Sequence, residues 1–175
     1  MTVVRVMAAS EIARIADIDR SERITQQYRQ CGEGLQPIDV DIDAPRWGEL
    51  GEATIKYRVD EWTRLASEGG VPIGAFDRDR LIGFAVYVRA SPEDPAQLAV
   101  LHVTKPWRRH GVGCDLTNEV VRLARAEGAQ RLYVSATPTR GTVDFYVSQG
   151  FKPVAIPDER LFALEPDDVH MERVL

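Results

Sequence analysis

The stretch Val100-Leu-His-Val-Thr-Lys-Pro-Trp-Arg-Arg-His-Gly-Val-Gly-Cys-Asp-Leu-Thr-Asn-Glu-Val-Val-Arg-Leu-Ala-Arg125 decides how the rest of the chain is read. Leu98, Val100, Leu101 and Val103 make a buried strand, which Pro106 ends by removing a backbone donor. Leu116, Val120, Leu123 and Ala124 then recur at helical spacing, and Gly128 sits where a helix commonly closes on a left-handed glycine. Between strand and helix lie Gly111 and Gly113, which let the backbone take positive φ and let a ligand approach the main chain. The unpaired N–H groups at the helix start, the positive end of its dipole, and Arg108, Arg109 and His110 together suit a phosphate or pyrophosphate. Two better-known phosphate loops do not fit. No G-x-x-x-x-G-K-[ST] run occurs, and a dinucleotide fingerprint would need glycine or alanine where Leu116 stands.

Upstream, Val71–Phe76 and Leu81–Val88 flank the turn Asp77–Arg80 and read as an antiparallel hairpin feeding the central strand. Farther back, Ala53–Ser67 places Ile55, Val59, Trp62 and Ala66 on one helical face, and Gly69-Gly70 ends it. Pro45–Gly51 reads as a loop. Ile24–Arg29 and Ile38–Asp43 are strand-like around a turn at Cys31–Gly34, and the second alternates apolar residues with Asp39, Asp41 and Asp43. The chain begins with a strand at Val3–Met7 and a short helix over Glu11–Asp17 with Ser10 as its N-cap. Downstream come a strand at Arg131–Ser135, a helix over Thr139–Gln149 ended by Gly150, and strands at Phe151–Ile156 and Val169–Leu175. No internal repeat or linker interrupts this order, which predicts one α/β (α+β) domain over residues 1–175.

Composition narrows the function. The chain has 175 residues, 44% hydrophobic and 28% charged, as in soluble globular proteins, and its net charge of −5 argues against a basic nucleic-acid face. Cys31 and Cys114 lack metal-ligand spacing and read as two free thiols of a reducing cytosol. The first 17 residues do not read as a secretory leader, and no apolar run reaches the roughly 20 residues a membrane helix needs. The expectation is a cytoplasmic protein with neither a nucleic-acid nor a membrane partner.

Arg108-x-x-Gly111-x-Gly113 between strand and helix resembles the acetyl-CoA pyrophosphate loop [RQ]-x-x-G-x-[GA] of the GNAT superfamily of N-acetyltransferases. Thr139–Phe151 resembles a second signature, N-x-x-A-x-x-[FL]-Y-x-x-x-G-F, with Phe145, Tyr146, Gly150 and Phe151 matching. Thr139 stands in place of the usual asparagine and Thr142 in place of alanine. Phe145 lies 32 residues after Gly113, which leaves room for one helix-plus-strand unit.

The resemblance implies a mixed, mostly antiparallel sheet of about seven strands with flanking helices, splayed between strands four and five. It implies a pantetheine arm held by the backbone near Leu101 and Val103. The pyrophosphate would lie on the segment Arg108, Arg109, His110, Gly111, Val112, Gly113 and Cys114, with Thr139 and Phe145 contributing to the coenzyme site. Acetyl-CoA would give its acetyl group directly to an amine, and Tyr146 would return a proton to the leaving thiolate. A base is not assigned. Counting back from Val103 at alternate positions gives Leu101, Ala99 and Gln97, none of them basic; His102 has the opposite parity and reads as structural. Glu22, the Asp39, Asp41 and Asp43 face, or water could take the proton. The acidic character of Asp39–Asp43 and of Glu165, Asp167 and Asp168 points to a small cationic amine as acceptor. A protein N-terminus or lysine, and a noncatalytic acyl-CoA sensor, remain open alternatives, and a homodimer is common among such proteins.

Overall fold

The computed structural model describes residues 2–92 and 94–175. Thr2–Val6 form β1. Ala9–Asp17 follow as a 3-10 helix with Ile12 and Ile15 buried. Ser10 does not cap it. Ala8 holds that position, and Glu11, three residues on, reaches back to accept the Ala8 N–H at 2.9 Å while binding Arg5.

Glu22–Cys31 (β2) and Gly34–Ala44 (β3) turn at Gly32, whose φ of 59° a glycine takes without strain, and make a separate two-stranded sheet. The loop after β3 contains a 3-10 turn, Trp47–Leu50, that buries Trp47. Glu52–Ser67 form α1. Val71–Asp77 (β4), Arg80–Val88 (β5) and Gln97–Val103 (β6) make an antiparallel run. Val112–Ala126 form α2, Arg131–Ala136 β7 and Arg140–Ser148 α3. The strand expected over Phe151–Ile156 pairs only as Lys152–Pro153 (β8). Beyond it the chain bends at Ala155 and Ile156, and Asp158 accepts the N–H groups of Arg160 and Leu161 to start a helix the sequence reading missed, Glu159–Leu164 (α4). Val169–Val174 (β9) close the sheet.

Strand order is β1-β4-β5-β6-β7-β9-β8, antiparallel throughout except for β6 against β7. That parallel pair is joined at Gln97↔Tyr133, and among the described residues at no later register. The fourth and fifth strands of the sheet therefore diverge toward their C-terminal ends, as expected. Leu116, Val120 and Ala124 of α2 and Val143 and Tyr146 of α3 cover one sheet face with Ile73, Ala85 and Val134. Ile12, Ile15, Trp47 and Trp62 cover the other with Phe76, Phe84 and Val86. Burial of each such large apolar side chain contributes about 1.5–3 kcal/mol, and the first of these cores takes in both diverging strands, through Leu98 of β6 and Leu132 and Val134 of β7. No described helix is long and apolar enough to cross a membrane.

Candidate active site

The turn between β6 and α2 is built from two left-handed residues, Arg109 with φ 62° and Gly111 with φ 87°. Nothing lies within 4 Å of where a Gly111 side chain would start, so glycine is required there for conformation and not for space. Gly113 is the converse case. A Cβ would stand 3.2 Å from the Phe145 ring, so the missing side chain lets α2 seat against α3. The first bond of the α2 ladder is Asp115 N–H to Gly111 O at 3.0 Å, so the amides of Val112, Gly113 and Cys114 precede it at the positive end of the helix. This arrangement suits a pyrophosphate: donors without ladder partners, and a close approach that a side chain at Gly113 would alter.

The side chains around the loop have other duties. The Arg108 guanidinium turns back toward the strand. Nε donates to Val103 O at 3.2 Å, Nη2 to Arg20 O at 3.0 Å, and Nη1 lies 3.5 Å from Glu22. Two carbonyls within reach of a half-buried fork explain that choice, and Arg108 ties the turn to the segment before β2. His110 donates from Nδ1 to Arg108 O at 2.8 Å, since a carbonyl can only accept. The Cys114 thiol accepts the Gln149 amide at 3.4 Å, so Cys114 offers its backbone to the loop. Thr139 is the N-cap of α3. Its hydroxyl accepts the Thr142 N–H at 3.3 Å and donates to Thr142 Oγ1 at 2.9 Å.

Leu101 and Val103 pair with Ala85 and Gly83 of β5, leaving their other edge toward the splay. The alternate-position count fails above them. Val86 pairs with Val100 but Tyr87 with Leu98, so Ala99 is an extra residue on β6. This bulge puts Leu98, not Ala99, in the same core as Leu101 and Val103, a register change that no sequence pattern announces.

His102 faces the other core. Its ring lies 5.5 Å from both Trp47 and Trp62, and the Arg20 guanidinium sits 4.6 Å above Trp47. Burial, then the charges of Arg20, Arg58 and Arg108, push His102 down to about 4, so it is neutral at physiological pH.

Tyr146 is 5% exposed, packs 5.4 Å from Phe151, and makes no hydrogen bond through its phenol among the described residues. Burial, then the carboxylates of Asp168 and Glu165, push its ionisation well above the ordinary phenol value and keep it a proton donor. Those carboxylates come from the loop between α4 and β9. A buried chain holds that loop: Asp158 N–H to Tyr133 Oη at 3.3 Å, Tyr133 O–H to His170 Nδ1 at 2.8 Å, and His170 Nε2–H to Glu165 O at 3.0 Å. Sequence reasoning missed this chain, because Tyr133 and His170 become neighbours only through the β7–β9 register.

The Asp39, Asp41 and Asp43 face is not a uniform negative wall. Arg23 pairs with both Asp41 and Asp43, while Asp39 accepts from Gln26. Asp39 lines a cleft of about 430 Å³ with Glu22, Gln26, Arg140 and Asp144 at the start of α3. Among the described residues no cluster of His, Cys, Asp and Glu could hold a metal ion.

This geometry agrees with comparisons to known proteins. The family model described as the acetyltransferase (GNAT) family matches residues 38–151. No curated protein matches the sequence. Among solved structures, nourseothricin acetyltransferase superposes with a TM-score of 0.69 at 18% identity, over 99% of this chain and 98% of that one. The PaiA N-acetyltransferase from Thermoplasma acidophilum, in complex with coenzyme A, gives 0.65 at 16% identity over 100% and 99%. Aminoglycoside 6'-acetyltransferase type Ii gives 0.64 at 17% identity over 98% and 96%. At such identities these likenesses speak for the fold. With the family match spanning most of its length, a splayed sheet, and a glycine turn opening α2, the chain belongs to the acetyltransferase (GNAT) family and is an acyltransferase.

Proposed function

We propose that this enzyme moves the acetyl group of acetyl-CoA, the donor of its family, directly to the primary amine of a small cationic metabolite. The observation that carries the reading is the turn at Gly111 and Gly113, where the amides of Val112, Gly113 and Cys114 gather beside Phe145. These amides would hold the pyrophosphate, with Arg109 and His110 at the rim, and the free edge at Leu101 and Val103 would take the pantetheine. Bound there, the coenzyme supplies an activated acyl carbon and a thiolate leaving group. Tyr146, neutral and buried, donates the proton that the thiolate needs. The carboxylates of Asp168 and Glu165 beside Tyr146, and Asp39 in the cleft along β2, favour a cation as acceptor.

A thiol-release assay with acetyl-CoA against polyamines, aminoglycoside-like amines and amino acids tests it. Amine-dependent release that Tyr146→Phe slows at least tenfold is expected. Coenzyme binding with no release against any amine would leave an acyl-CoA-binding protein instead.

A further inference from the structure

The short segment between the Ala9–Asp17 helix and β2 carries a cation with no anion. Arg20 is half-buried, and its guanidinium carbon lies 4.6 Å from the centre of the Trp47 ring. A cation over an aromatic ring spends none of its N–H donors on that contact. Among the described residues the Arg20 side chain makes no hydrogen bond and no ion pair. The neighbouring carboxylates are engaged elsewhere. Asp19 pairs with Arg46 at 2.9 Å, Glu61 with Arg58 at 2.7 Å, and Glu22 lies 3.5 Å from Arg108 Nη1. Burial, then the like charges of Arg58 and Arg108, hold the Arg20 guanidinium below its ordinary value.

Trp47 supplies an independent sign. It is 4% exposed, and its indole N–H is buried without an acceptor. Its ring stands 5.5 Å from His102 and 6.0 Å from Trp62, and the charges that reach His102 are again those of Arg20, Arg58 and Arg108. Buried polar groups are nearly always partnered, and buried charges nearly always paired. Here an aromatic recess gathers arginines and an open indole donor with no acceptor, in a chain whose net charge is −5. What it lacks is an anion.

We propose that Arg20, held over Trp47, binds an acid group of the acceptor, a carboxylate or phosphate, so that the enzyme prefers amines that carry one. This rests on the amine-acetylation reading above and narrows its acceptor to the class of basic amino acids. The place fits. Arg108 fastens the segment to the end of β6, donating to Arg20 O at 3.0 Å and to Val103 O at 3.2 Å, so the recess adjoins the edge given to the pantetheine. Glu22, two residues and at most about 7 Å of chain farther on, lines the same cleft as Asp39. A cation followed at that spacing by a carboxylate complements a small molecule with an acid at one end and an ammonium at the other. The planar guanidinium meets an acid group with two parallel bonds, which a neutral carboxamide does not accept.

The test compares kcat/KM for lysine and ornithine with kcat/KM for their carboxamides, in wild type, Arg20→Gln and Arg20→Lys. The wild type should prefer each acid about tenfold to hundredfold, the worth of a charge-assisted pair. In Arg20→Gln the preference should fall to about twofold or less, chiefly through KM for the acids, and Arg20→Lys should keep an intermediate preference. Acetyl-CoA affinity by calorimetry should stay within about twofold of wild type in both variants. Because Arg20→Gln breaks no ion pair, its melting temperature should stay within about 2 °C of wild type. Equal use of acid and carboxamide by the wild type, or a preference that survives Arg20→Gln, would overturn the assignment and leave amine acetylation intact. Weakened acetyl-CoA binding by Arg20→Gln with the acid preference kept would give the recess to a coenzyme phosphate instead. A melting temperature many degrees lower in both variants would make Arg20 structural. A wild-type enzyme that binds acetyl-CoA but acetylates no amine would remove the underlying reading, and this acceptor with it.

Discussion

Replacing Gly111 with alanine isolates one physical term. No atom lies within 4 Å of the new Cβ, so steric exclusion contributes nothing. What changes is the backbone, whose φ of 87° lies in the left-handed region that costs an L-residue about 1–2 kcal/mol. A stiffer unfolded chain offsets about 0.4–1 kcal/mol of this, leaving a net loss near 1 kcal/mol. For a domain of this size that is a fall of about 2–4 °C in melting temperature. Asparagine tolerates left-handed backbone, so Gly111→Asn should lose about half as much. Because Gly111 also aims the amides of Val112, Gly113 and Cys114, acetyl-CoA should bind Gly111→Ala at least about tenfold more weakly, or 1.4 kcal/mol. Thermal melts and calorimetric titration of the two variants read both effects. If Ala melts and binds as wild type does, or Asn is as damaging as Ala, the left-handed turn is not what the glycine supplies.

Arg108→Ala should lower stability by about 2–3 kcal/mol, because the Val103 and Arg20 carbonyls lose a charged donor, and Arg108→Lys should not restore it because one ammonium cannot replace the fork. Denaturant melts check this; rescue by lysine would point to charge alone. His102 binds its proton only near pH 4 when folded and near 6.5 when unfolded, so the native state loses stability as pH falls through that window, by at most about 3 kcal/mol. His102→Gln should flatten the melting temperature between pH 6.5 and 4, and an unchanged slope would contradict the buried neutral ring. Tyr146→Phe should reduce kcat at least tenfold while leaving acetyl-CoA affinity within twofold, and a fall in affinity with kcat intact would make the phenol a binding group.

The sheet and both flanking helices of the site were legible because their signals are local: apolar periods, glycine stops, and Pro106 after the strand. The loop was legible as a loop, yet the direction of the Arg108 side chain was not, since its partner Arg20 lies 88 residues away. The bulge at Ala99 cost the alternate count its parity, and α4, six residues long, is too short to show a helical period. The Tyr133–His170–Glu165 chain depends on a pairing 37 residues apart, which leaves no trace in either strand alone. Long-range register, rather than propensity, separates what was read from what was not.

Calorimetric titration of the wild-type enzyme with acetyl-CoA, repeated on Gly111→Val, tests the central claim most directly. One saturable site in the wild type, weakened at least tenfold or abolished in the variant, is the predicted result. Absence of binding by the wild type, or equal binding by both proteins, would mean that the turn between β6 and α2 is not where this enzyme holds its donor.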